Sequence, residues 1–159
     1  MKPDEYGENF QAHLLEQYKL YVEMTDRVSS RRVQITRFYT SILSGILALL
    51  SITSNKELFK ESQSFVLPTV AIIGLCLCVA WTANINSYKQ LNSLKFQVIH
   101  GMEAYLPFPC YDREWKILKE DNNRKRYFRL TAIERYIPMI LAIPYFGLLV
   151  YSLVKVFGG

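Results

Sequence analysis

Three cysteines and two histidines are the side chains here best suited to hold a transition metal, and their spacing argues against it. Cys76 and Cys78 stand two residues apart, an offset that on a helix turns the side chains away from each other. Cys110 sits alone in a proline-rich turn, and neither His13 nor His100 has a cysteine nearby. No zinc spacing results, and an odd cysteine count at such positions does not make a disulfide framework. Cys76 and Cys78 read instead as small apolar filler. No serine lies in a nucleophile-elbow context, and the seven glycines form no phosphate-cradling loop. No catalytic, cofactor-binding or metal-ligating residue is therefore expected, and an enzyme is the least supported class.

The polar residues that remain suit membranes better than catalysis. Ser41, Ser44, Gly45, Ala48 and Ser51 form a strip of small residues on one predicted helix. Such a strip can line a polar pore or let two helices approach closely, and Ser44 with Ala48 makes a small-xxx-small pair. Asn84 and Asn86 could bind an ion or lipid headgroup, or make interhelical hydrogen bonds at the water boundary. The second reading is preferred because both follow Trp81. Arg31-Arg32 and Arg124-Lys125-Arg126 could recruit anionic lipid or nucleic acid. The net charge of +5 accompanies no nucleic-acid fold signature, so nucleic acid is disfavoured as a partner and the basic residues read as topology anchors.

The elements that must position these residues announce themselves by missing charge. Phe38–Asn55, Ser62–Tyr88 and Tyr136–Val154 contain no Lys, Arg, Asp or Glu. A helix rises about 1.5 Å per residue and a hydrocarbon core is about 30 Å thick, so each stretch is long enough to cross, the first only just. None carries the buried charge that ion-coupled pumps and transporters use. Lys and Arg divide 16 to 3 between the two sides of a three-span topology. That bias puts the N-terminus and the long segment between spans two and three in the cytoplasm, with Asn55–Glu61 and the C-terminus outside. A two-span alternative leaves Tyr136–Val154, with Pro138 and Pro144, as a buried or re-entrant segment. The polar, acidic first thirty residues do not resemble a signal peptide.

Residues 1–9 read as a disordered lead. From Asn9, Leu14, Leu15, Tyr18, Tyr21, Val22, Thr25 and Val28 recur at helical steps with no breaker before the first span. The second span has Pro68 near its start and Trp81 as an interfacial anchor. It continues through Leu91, Leu94, Val98, Ile99 and Met102 as one helix of about 40 residues, until Pro107 and Pro109 end it. Asp112 is the expected N-cap of a short helix bearing Trp115, followed by a turn at Asp121–Asn123. Both cytoplasmic stripes need cover, and Tyr18, Tyr21 and Val22 are expected to pack against Leu91, Leu94, Val98 and Ile99, within or between subunits. The expected fold is all-α: an integral membrane helical bundle of three transmembrane helices with a cytoplasmic helical layer. Its divisions are a cytoplasmic amphipathic helix over 1–34, transmembrane helices 1 and 2 over 35–88, a cytoplasmic helical segment over 89–135 and transmembrane helix 3 over 136–159.

Two segments carry a family resemblance. One runs from Leu15 to Phe38, through Glu-Gln-Tyr-Lys-Leu-Tyr-Val-Glu-Met and Arg31-Arg32. The other runs from Asn86 through Asn92, Lys95, Met102-Glu103, Leu106-Pro107 and Pro109 to Glu114-Trp115. Together they resemble bacterial inner-membrane proteins of the RipA family, described as octameric. The chain is also similar to the SLATT class of two-span membrane effectors, to which a third span would be an addition. The resemblance implies a homo-oligomer, an octamer as the family is described, built through a cytoplasmic helical layer without cofactor or catalysis, and acting as a membrane scaffold or channel-like assembly. The alternative it implies is a membrane-disrupting effector of anti-phage defence, triggered by a partner or nucleotide signal. Its partners would be itself, membrane lipid and an unidentified regulatory protein.

Overall fold

The computed structural model describes residues 3–53, 63–120 and 130–157, and the described residues are helical apart from short turns. In chain order the helices are α1 (Pro3–Tyr6), α2 (Phe10–Thr53), α3 (Gln63–Glu103), α4 (Cys110–Glu120) and α5 (Leu130–Phe157). Three of them, α2, α3 and α5, are long and apolar enough to cross a membrane. At 44 and 41 residues, α2 and α3 reach about 66 and 62 Å, twice a hydrocarbon core. Their apolar halves can cross while their charged halves stay in water.

Contacts divide the chain into two units. The first comprises Met1–Arg32 and Ser87–Arg129, and the second Val33–Asn86 and Leu130–Gly159. The first holds 25 of the 33 charged residues and the second the other 8, most of them outside its apolar runs. The turn expected at Asp121–Asn123, the basic run after it and the connection Asn55–Glu61 lie outside the described residues.

Three expectations need correction. Pro3–Tyr6 form a helical turn where a disordered lead was expected. Gly7, at φ +95°, ends it in the left-handed region that glycine enters without strain, and Tyr6 shares a 2.8 Å hydrogen bond with His13 Nδ1. Trp81 is fully buried, stacked on Tyr39 with centroids 5.7 Å apart and planes 7° off parallel. A core helix contact, not a lipid interface, takes up its indole. Asp112 is no N-cap: α4 begins at Cys110, its first helical bond runs from the Arg113 amide to the Pro109 carbonyl, and Asp112 sits in the first turn, 2.6 Å from Lys116.

Helix α3 also ends before its prolines. After Glu103 the amides of Tyr105 and Leu106 reach back three residues to the carbonyls of Met102 and Glu103, a tightened last turn.

The second unit has one core, formed by Leu43, Cys78, Trp81, Ile85 and Tyr145. Several of its hydroxyls bond back onto their own helices, which a lipid environment favours. Thr40, Thr69 and Thr82 each donate to the carbonyl four residues earlier. Asn84 donates to the Tyr39 hydroxyl at 3.1 Å and to the Ala80 carbonyl, an interhelical bond of the expected kind, while Asn86 is exposed.

Candidate functional site

In the first unit the organising residue is Glu103, whose side chain is 1% exposed. Pro109 precedes α4 and has no side-chain oxygen to offer the helix's free amides. Glu103 supplies them from the end of α3. The Tyr111 amide donates to Oε1 at 2.8 Å and the Asp112 amide to Oε2 at 3.0 Å. The negative charge also complements the positive end of the α4 dipole. From α2 the Tyr18 hydroxyl donates to Oε1 at 3.1 Å, and Nδ1 of His100 lies 3.4 Å from Oε2. One carboxylate thus joins three helices. Burial and this carboxylate push the Tyr18 phenol far above its ordinary range, because both oppose a phenolate there. Burial raises Tyr111 too, with Asp26 adding to it.

Around this hub α2 and α3 run antiparallel. Asn92 donates to Ser29, Lys95 lies 5.4 Å from the centre of the Tyr21 ring, and Gln11 donates to the Tyr105 carbonyl. Among the residues expected to pack here, Ile99 is fully buried and Tyr18, Tyr21 and Val22 are half-buried. Leu91, Leu94 and Val98 lie exposed on a different face of α3, uncovered within one subunit.

In the second unit the small-residue strip points away from the core. Leu43 is buried, while Ser41, Ser44, Gly45, Ala48 and Ser51 are all exposed, and a Cβ added at Gly45 would touch nothing within 4 Å. The strip is therefore free to meet lipid, water or another helix. The close approach that does occur lies elsewhere. Gly74 of α3 faces the Tyr145 ring of α5, and the Tyr145 hydroxyl donates to the Leu43 carbonyl of α2 at 2.6 Å. Sequence reasoning singled out neither Glu103 as a hub nor the Gly74–Tyr145 pair. An acid at a helix end and a glycine in an apolar run signal nothing until their tertiary neighbours are known.

Two cavities among the described residues are lined mainly by aromatic and apolar side chains. A 620 Å³ cleft between α3 and α4 has Phe96, His100, Tyr111 and Trp115 as walls and Glu114 as its acid. A 450 Å³ groove in the second unit is lined mainly by apolar residues such as Leu75, Val79, Pro138 and Met139. No group of three His, Cys, Asp or Glu that could hold a metal ion occurs among the described residues.

This arrangement offers helix-packing surfaces on both α2 and α3. No curated protein and no solved structure matches the chain. The model of the octameric membrane protein family (8xMP) matches residues 15–154, from the first amphipathic stripe to the end of the last apolar helix. With three apolar helices and outward-facing strips on α2 and α3, the chain belongs to the octameric membrane protein family.

Proposed function

We propose that the chain is the subunit of a homo-octameric bacterial inner-membrane assembly that works as a scaffold or channel-like body, without catalysis. The first unit lies in the cytoplasm, and α2, α3 and α5 cross the bilayer with the C-terminus outside. The observation that carries this reading is the family membership, over residues 15–154. The charge division of 16 to 3 supports the orientation. The exposed strip Ser41, Ser44, Gly45, Ala48 and Ser51 supports assembly within the membrane, because small residues favour close helix approach in lipid.

Native mass measurement in mild detergent and in nanodiscs tests the reading, with eight copies expected and a monomer in both media sinking it. Ser44→Leu separates its two forms. If the strip lines an axial opening, the variant keeps eight copies and loses conductance across planar bilayers. If the strip packs on a neighbouring helix, the variant falls to smaller species.

A further inference from the structure

Resting on that reading, we infer that neighbouring subunits join in the first unit through two different faces: the outer stripe Leu91–Leu94–Val98–Gly101 of α3 in one copy and Leu20–Met24 of α2 in the next.

Eight copies inserted with one topology cannot be related by a two-fold axis lying in the membrane. Their ring is then cyclic, about an axis along the membrane normal, and every contact is heterologous. Each subunit must present two distinct surfaces facing different ways. The α2–α3 pair has them. Leu20 follows Tyr18 by two residues and Gly101 precedes Glu103 by two, and Tyr18 bonds Glu103 across the pair. Two residues turn a helix by about 200°, so Leu20 and Gly101 point away from the seam on opposite sides.

The two faces also match in charge. Every exposed residue of α3 from Gln90 to Gly101 is uncharged, although these residues follow the charge-free run and belong to the charged unit. Leu91, Leu94 and Val98 are 43, 52 and 42% exposed. Leu20 and Met24 are flanked by acids and bases that neutralise one another, Glu16 with Lys19 at 3.0 Å and Glu23 with Arg27 at 2.6 Å. Interface cores are depleted of unpaired charge, and around Leu20, Met24, Val98 and Gly101 these two faces leave none to bury, the exposed Arg31 lying beyond them at the rim.

Height along the ring axis selects the partners. Rotation about that axis brings one copy onto the next without a shift, so residues at one height meet. Tyr18 stands level with Glu103, and Ser29 with Asn92. Counting inward residue by residue sets Leu20 level with Gly101, and Met24 level with Gln97 and Val98. A Cβ at Gly101 would meet nothing within 4 Å, which leaves a notch for the Leu20 side chain, and Met24 falls on Val98.

The test is disulfide trapping in native membranes, in a background of Cys76→Ala, Cys78→Ala and Cys110→Ser whose native mass is checked first. Met24→Cys/Val98→Cys, treated with a mild oxidant, is expected to give a ladder of linked species from two up to eight copies. Each single variant should stay unlinked. Co-expressed singles carrying different tags should give only the mixed dimer. A self-linked dimer from either single variant, or no ladder while the native mass remains eight copies, overturns this interface and spares the octamer. A monomeric mass for the background, with the unmodified chain also monomeric, overturns both.

Discussion

The Tyr145 ring occupies the space where any residue other than glycine at position 74 would place its Cβ, against the ring carbons Cδ1 and Cε1. The rest of the ring cannot yield easily, because its hydroxyl is held by the Leu43 carbonyl in a buried bond of 2.6 Å. Gly74→Ala is therefore expected to cost about 1–3 kcal/mol through overpacking. Tyr145→Phe should cost about 0.5–1.5 kcal/mol through the lost hydrogen bond. Thermal unfolding in nanodiscs checks both. Gly74→Ala should cost less in a Tyr145→Leu background, because the clash is gone, and equal costs in the two backgrounds would exclude the contact.

Glu103→Gln keeps one acceptor oxygen and loses the charge, so α4 should stay docked but exchange faster. Glu103→Ala leaves the Tyr111 and Asp112 amides and the Tyr18 hydroxyl without their acceptor. Hydrogen bonds to a charged group contribute about 1.5–3 kcal/mol each. Hydrogen exchange at the amides of Tyr111 and Asp112 should therefore speed up at least tenfold in Glu103→Ala, and unchanged protection would rule out the cap.

Alkali should loosen the first unit through Tyr18. Its phenol is pushed up by burial and by Glu103, so the folded state holds this proton more tightly than the unfolded chain does. The stabilisation is complete below the ordinary tyrosine value of about 10 and is lost as pH rises from there through the folded-state value. Phenolate absorbance should show a late-titrating fraction in the folded protein, to which Tyr18 and Tyr111 both contribute. That fraction should shrink in Tyr18→Phe, and an unchanged late fraction would exclude the Tyr18 contribution.

Trp81→Ala should behave as a core truncation, costing about 3–5 kcal/mol, since its ring is fully buried against Tyr39. A tryptophan at a lipid boundary would instead tolerate the change and show exposure to collisional quenchers. Quenching of the Trp81 emission by acrylamide, read against Trp81→Phe because Trp115 also emits, should be slight.

For topology, a reporter active only in the cytoplasm, fused after Gly159, should be silent, and the same reporter at the N-terminus should be active. Activity at the C-terminal fusion would leave two spans.

The long elements were readable in the sequence because membranes and helices impose simple patterns. Charge-free runs marked the apolar helices, and the spacing of Leu14, Tyr18, Tyr21, Thr25 and Val28 marked the buried face of α2. What escaped reading depends on tertiary neighbours. Asp112 looks like a cap by residue type, yet the cap comes from Glu103 on another helix. Trp81 sits where interfacial aromatics sit, yet Tyr39 across the seam draws it inward. Prolines at 107 and 109 suggested a late end to α3, but the chain turns at Glu103, where the carboxylate is needed. For the candidate assembly surfaces, the sequence supplied the small strip and the α3 stripe, and the structure adds that Leu91, Leu94 and Val98 stand apart from Ile99, on an uncovered face.

The bond between Tyr145 and Leu43 spans 102 residues, and during synthesis that separation becomes a delay. At about 5–20 residues per second, the ribosome finishes Leu43 several seconds or more before it reaches Tyr145. Once α3 is made, and until Tyr145 follows, the apolar part of the α2–α3 hairpin is held by contacts between those two helices alone, among them the Tyr39–Trp81 stack and the Asn84 bond. The bare backbone at Gly74 stays open until α5 arrives. Helix α5 is thus the one that closes the core, and a ribosome that stalls before Tyr145 leaves in the bilayer a hairpin with a vacant slot.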